Sequence, residues 1–190
     1  MARAFQRQGA LLSVVVDWKD CILRTEVERS GGKLMSIVES RLGRIGLELP
    51  DPKQPVANYL GTKRSGDLLF VSGRVSRTRG EVGTDLTTVQ GQAAAQEALL
   101  DILAIVKMDI GDLDQIVSVE RMQGFVRSAP SFTEQPMVID GASNLLIELF
   151  GEAGRHARTA TGAAQLPFGA AVQLDLVLRL GDQTALPSVQ

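Results

Sequence analysis

Hydrophobic and polar positions alternate most cleanly near the end of the chain. Over residues 172–180, Val172, Leu174, Leu176, Leu178 and Leu180 share one side, and Gln173, Asp175, Val177 and Arg179 share the other. That is the period-two pattern of a half-buried strand. A second strand pattern precedes it, joined through a Leu-Pro-Phe-Gly turn at residues 166–169. Residues 57–62 and 67–72 read as two more strands, with Lys63-Arg64-Ser65-Gly66 as the hairpin turn between them. Leu68, Leu69, Phe70 and Val71 are apolar in succession, which predicts a strand covered on both faces. Residues 115–126 are β-branched and alternating, a further strand.

Helical spacing takes over between the strands. Ala93, Ala94, Leu99, Leu100, Leu103 and Val106 follow a Thr87/Gln90 capping box and run to Gly111, the alanines favouring close approach to a sheet. Leu145, Leu146, Leu149 and Phe150 give a second helix ending at Gly151, with Ser131 and Glu134 as its capping box and Pro136 in its first turn. A shorter helix is predicted over 36–46 from Ile37, Val38, Leu42 and Ile45, with Ser36 as N-cap and Glu39 three residues on. Pro50, Pro52 and Pro55 make the segment after it a linker. Residues 74–83, with three arginines, read as an exposed loop. The order predicts an α+β fold, a mixed sheet with both long helices on one face. The other face keeps apolar residues such as Val177, so it calls for a cover.

Composition narrows the class. A chain of 190 residues, 44% hydrophobic and 22% charged, is ordinary globular composition and makes one domain the default. The net charge of −2 argues against a dedicated nucleic-acid binder. Cys21 is the only cysteine, which excludes an internal disulfide and a cysteine-ligated zinc site and fits the reducing cytoplasm. No apolar run approaches the roughly 20 residues of a membrane span. Residues 1–34 read as an N-terminal extension, with Met35 as the natural initiator. The alternative is a mitochondrial presequence, since the first sixteen residues hold no acid. The domain then covers 35–182 and a tail 183–190.

Candidate chemistry gathers around Arg155, His156 and Arg158, just after the second long helix. A guanidinium at Arg158 can grip a carboxylate with two parallel hydrogen bonds. The competing reading is an ion pair with Glu148, Glu152 or Asp175. Tyr59, the only tyrosine, is either a polar tip at a cleft or a half-buried packing residue. His156 is the only histidine and lacks a spaced Ser-His-Asp or second metal-ligand partner, so a structural or ligand-positioning role is expected. Neither a P-loop nor a dinucleotide glycine pattern is present.

Four blocks carry a family resemblance: NYLGTKRSGDLLFVSG (58–73), GFVRSAPSFTEQPMVIDGAS (124–143), LFGEAGRHAR, and GRHARTATGAAQLPFGAAVQLD. In order and spacing they resemble the Rid family (YjgF, reactive intermediate deaminase, also called endoribonuclease L-PSP), in its longer chorismate-mutase-like subgroup. The resemblance runs from Met35 to about Leu180. It implies a homotrimer whose sheets form a central barrel, with sites in clefts between subunits. It also implies hydrolysis of small 2-imino acids to 2-keto acids and ammonia, with no metal or organic cofactor.

Arg158 matches the family's carboxylate-binding arginine, and Tyr59 a ligand-side tyrosine. Asp140 and Gly141 lie near the family's asparagine-containing segment, with the register open. Two positions depart from the pattern. Ala160 stands where shorter members often have cysteine. Gln173 stands where many have a glutamate that holds or polarises the hydrolytic water, and an amide orients water but exchanges no proton at neutral pH. Asp175, two residues on and about 7 Å away on the same strand face, is the alternative proton carrier. A non-catalytic trimer that binds a small carboxylate is the second expectation, and an endoribonuclease the third.

Overall fold

The computed structural model describes residues 36–52 and 58–181, all of them in one compact unit that begins at Ser36. The expectations for residues 1–34, for the tail at 183–190 and for Pro55 and Ala57 lie outside the described residues. Among the described residues three α-helices and five strands follow one another: α1 (Ile37–Arg44), β1 (Thr62–Ser65), β2 (Leu68–Val75), α2 (Thr88–Ile110), β3 (Ile116–Arg127), α3 (Gln135–Phe150), β4 (Ala157–Ala163) and β5 (Val172–Leu180). The strands form one mixed sheet in the order β1-β2-β5-β3-β4. Only β3 and β4 run parallel, joined by the crossover helix α3.

The alternation of β5 is realised in full. Val172, Leu174, Leu176, Leu178 and Leu180 are buried, and Gln173, Asp175, Val177 and Arg179 are not. Leu69 and Val71 of β2 and Met122 of β3 join the buried set, which forms a single core with the inner sides of α2 and α3. Ala94, Ala95 and Ala98 are fully buried in α2. The two long helices touch through Gly141 of α3, where a Cβ would lie 2.3 Å from the backbone oxygen of Gln92. Among the described residues, no helix covers the opposite face of the sheet. Phe70, predicted to be buried, is 45% exposed there.

Several local expectations are corrected. The first strand begins at Thr62 rather than 57, and Lys63, Arg64 and Ser65 belong to it. The chain reverses instead at Gly66 and Asp67, with Gly66 at φ 62°. An edge strand has one free side, so consecutive basic residues suit it as well as they suit a turn. The strands at 157–163 and 172–180 are not hairpin neighbours, because β3 lies between them.

Ser36 takes the N-cap position of α1 as predicted, but the hydrogen bonds at the starts of α1 and α3 differ from prediction. The Thr87/Gln90 capping box of α2 forms. At α1, Ser36 donates its hydroxyl to Asp114 (2.8 Å), and Asp114 accepts the Ile37 and Val38 amides at 2.7 and 3.0 Å. A distant carboxylate thus does the capping, since an ionised acceptor outcompetes a hydroxyl. Glu39 pairs with Lys107 instead of closing the box. At α3 the N-cap position falls to Glu134, whose side chain accepts from Thr88 Oγ1 at 2.8 Å.

The segment after β2 is anchored where an exposed loop was expected. A bulge between Val71 and Arg74 shifts the register, and β2 stays paired with β5 to Val75. Ser76 is buried; its hydroxyl accepts from the Ala171 and Val172 amides and donates to the Thr78 carbonyl. Thr78 is held in turn by Glu97 of α2, through its amide (2.9 Å) and its hydroxyl (3.0 Å). Arg77 and Arg79 remain exposed.

Candidate functional site

Arg158 enters at the free edge of the sheet. In the β3–β4 register it stands opposite Met122, which is fully buried, so its side chain takes the helix-covered face, toward α3. There its Nη1 donates to Asp140 Oδ1 at 2.6 Å and to Ser143 Oγ at 3.0 Å. Asp140 and Ser143 lie one helical turn apart, the spacing that puts two side chains on one stripe. None of Glu148, Glu152 and Asp175 is the partner: Glu152 pairs with Arg155 instead. The Arg158 side chain is 26% exposed, and its Nε and Nη2 make no hydrogen bond with the described residues. Arg158 is thus ion-paired within its own chain, with Asp140 in place of the three carboxylates considered from the sequence.

His156 supports that arrangement from below. Its Nδ1 lies 2.6 Å from the Gly154 carbonyl, which only accepts, so Nδ1 carries the hydrogen. Nε2 then accepts from Ser143, 3.2 Å away, and Ser143 accepts from Arg158. Burial pushes the imidazole below its ordinary pKa; the Gly154 bond opposes this, and the positive charge of Arg158 adds to it. A neutral ring is the form this relay requires.

Tyr59 and Gln173 meet at the bulged end of β2, away from the β4 edge that carries Arg158. They line a cleft of about 410 Å³ with Gly73, Arg77, Arg79 and Phe168, and with Asp101 and Ile105 of α2. The bulge in β2 brings Gly73 under the Gln173 amide, where a Cβ would come within 2.9 Å of Nε2. Arg77 is engaged by Asp101 at 3.3 Å. Tyr59 is 49% exposed and Phe168 75%. Phe168 also has a left-handed backbone, φ 60° and ψ 14°, the only non-glycine residue with positive φ among those described.

Asp175 shares the face of Gln173 but lies outside the walls of the cleft. Gln123 approaches it at 3.5 Å and is itself held by Arg121. Burial raises the Asp175 pKa, against smaller lowering effects from Gln123 and Arg121. Ala160 packs against the core. Tyr59 and Gln173 are therefore together, while Arg158 sits two strands from Gln173, at the β4 edge and against α3. Sequence reasoning left Asp140 open and missed Ser143 and Phe168. The spacing of Asp140 and Ser143 on a predicted helix was the available signal for the first pair. Among the described residues no group of three His, Cys, Asp or Glu is placed to hold a metal, and no helix is long and apolar enough to cross a membrane.

The family model described as "YjgF/chorismate_mutase-like, putative endoribonuclease" matches residues 39–180, a span that holds all five strands and both long helices. The chain belongs to this family. Protein TCP17 of Trypanosoma cruzi is 43% identical to this YjgF-family chain over 152 residues, covering 76% of the chain and 95% of that protein. Two solved structures are also similar. A protein of unknown function from Agrobacterium tumefaciens is 42% identical with a TM-score of 0.72, over 76% of this chain and 93% of that one. A "putative endoribonuclease" from Shewanella oneidensis is 35% identical with a TM-score of 0.73, over 75% and 99%. The α+β architecture of the chain is that of the YjgF family.

Proposed function

We propose that this YjgF-family protein is an enamine/imine deaminase that hydrolyses 2-imino acids to 2-keto acids and ammonia. The observation that carries the reading is the half-committed guanidinium of Arg158, held by Asp140 and Ser143 with Nε and Nη2 left to grip a carboxylate. Tyr59 and Gln173, in their own cleft, supply the polar groups for the reacting end. Because these halves lie apart in the single chain, one at the β4 edge and the other at the bulged end of β2, the site is completed between chains. Arg158 of one subunit serves the cleft of the next in a homotrimer, the assembly that the family resemblance implies.

In this reaction the oxygen of a water adds to the imine carbon and gives up one proton, while the C=N electron pair moves to nitrogen, which takes one proton up. The resulting carbinolamine then loses its hydroxyl proton and its nitrogen gains one as the C–N bond breaks, releasing ammonia and the keto acid. Gln173 orients the water, and the proton passes through solvent or Asp175, since an amide exchanges none. The same deficiency supports a second reading, a trimer that binds small carboxylates without turnover.

The test is ammonia and keto-acid release from freshly generated 2-aminoacrylate, with and without protein, beside binding of the stable keto acid. Wild type should accelerate release. Arg158→Lys should weaken keto-acid binding nearly as much as Arg158→Ala, by roughly tenfold or more, because the paired geometry is lost along with the charge. Binding unchanged in both variants sinks the carboxylate role; binding without acceleration favours the second reading.

A further inference from the structure

The cleft around Gln173 is larger, and more aromatic at its mouth, than an alanine-sized imino acid requires. Its volume of about 410 Å³ falls in the range of about 300–1,000 Å³ that holds drug-sized ligands. Phe168 forms part of its wall, in the Leu-Pro-Phe-Gly connection between β4 and β5. That side chain is costly twice over. Its backbone is left-handed, a conformation L-residues adopt only under constraint, and its ring is three-quarters exposed. Neither cost is offset by burial in the chain's own core, to which Phe168 does not belong. Gly169 beside it, also left-handed at φ 71°, meets no such conflict. A ring at that price points to something that covers it. Tyr59, a second half-exposed ring, lines the same cleft.

We infer that this cleft selects 2-imino acids, and their 2-keto products, that carry a flat aromatic side chain, with Phe168 reading that side chain. The inference rests on the deaminase reading and names the substrate class of that same site. Ring against ring in a desolvated cleft is favourable in offset-stacked or edge-on geometry, beyond the area buried. A methyl or ethyl side chain offers little to either ring. The carboxylate end is left to Arg158, so Phe168 decides between side chains and not whether a keto acid binds at all.

The experiment uses the full chain in its assembled state. Binding of phenylpyruvate and of pyruvate is measured by calorimetry. Turnover is measured on the imines formed in place from phenylalanine and from alanine by an amino-acid oxidase. Wild type should prefer phenylpyruvate by tenfold or more. Phe168→Gly should bring that ratio toward one, Phe168→Tyr should keep it, and the glycine variant should melt no lower than wild type because it fits the φ better. Equal affinities in wild type, or an unchanged ratio in Phe168→Gly, overturn the inference. So does dissociation of the assembly in that variant, which assigns the ring to a contact between chains. Preference for phenylpyruvate without turnover of either imine supports the aromatic preference and overturns the deaminase reading. Turnover of both imines with equal kcat/KM does the reverse.

Discussion

At Arg158, Ser143 and His156 the chemistry is settled by who can donate. The Gly154 carbonyl fixes the hydrogen on His156 Nδ1, Nε2 is left to accept, and Ser143 turns its hydroxyl that way, freeing its lone pairs for Arg158. The sequence makes Arg158 a candidate and His156 a supporting residue, but the third member is a serine among many, found only once α3 and β4 are packed together. Gln173 presents the opposite case, since its place in an alternating strand is visible in the sequence and the question it raises is chemical. If a glutamate there polarises water, wild type should be a slow deaminase and Gln173→Glu should raise its turnover. A well-placed acid or base contributes about a hundredfold or more, and a group grafted into an untuned site recovers part of that. The comparison of wild type, Gln173→Glu and Asp175→Asn on one imine decides it. A fast wild type that collapses in Asp175→Asn assigns the proton to Asp175, whose pKa burial already raises.

At the scale of elements, what the sequence shows well is what depends on local periodicity. The face of β5, the length of α2 and its capping box, and the end of α3 at Gly151 all follow from spacing over a few residues. What it hides depends on partners far along the chain. Asp114 caps α1 from 76 to 78 residues away, and β3 slips between two strands that are consecutive in sequence. The contact of α2 with α3 is of this second kind. Gly141 reads as an ordinary mid-helix glycine, which costs about 1 kcal/mol relative to alanine, yet it is where the Gln92 backbone comes closest. Gly141→Ala should therefore destabilise the protein despite its better helix propensity. Overpacking of this sort costs about 1–3 kcal/mol, and the clash is with backbone, which yields little. A lower urea midpoint with an unchanged slope is the expected result; a raised midpoint would show that the helices separate freely.

The whole molecule poses the question that neither smaller scale answers, because one sheet holds Arg158 at its β4 edge and the Tyr59/Gln173 cleft at the bulged end of β2. Arg158, bound to Asp140 and Ser143 of α3, is not among the walls of that cleft, so on the proposed function the two halves serve one site only across a boundary between chains. A cyclic trimer meets this need: its interfaces are heterologous, each subunit offering one patch to a neighbour and a different patch to the next. Uncovered Phe70 and Val177 on the open face are consistent with a surface that is covered on assembly. Light scattering should report three chain masses, and a well-folded monomer at micromolar concentration removes the proposed site. Complementation tests the shared site more directly. Arg158→Ala and the double variant Tyr59→Ala/Gln173→Ala should each be inactive alone. Unfolded together in equal amounts and refolded, they should regain activity, because an interface between the two kinds of chain can combine an intact arginine with an intact cleft. With random assortment about one interface in four is of that kind, so about a quarter of wild-type turnover is expected. Trimers that mix, as shown by a mass tag on one variant, yet stay inactive would place both halves of the site within one chain's reach and refute the shared arrangement.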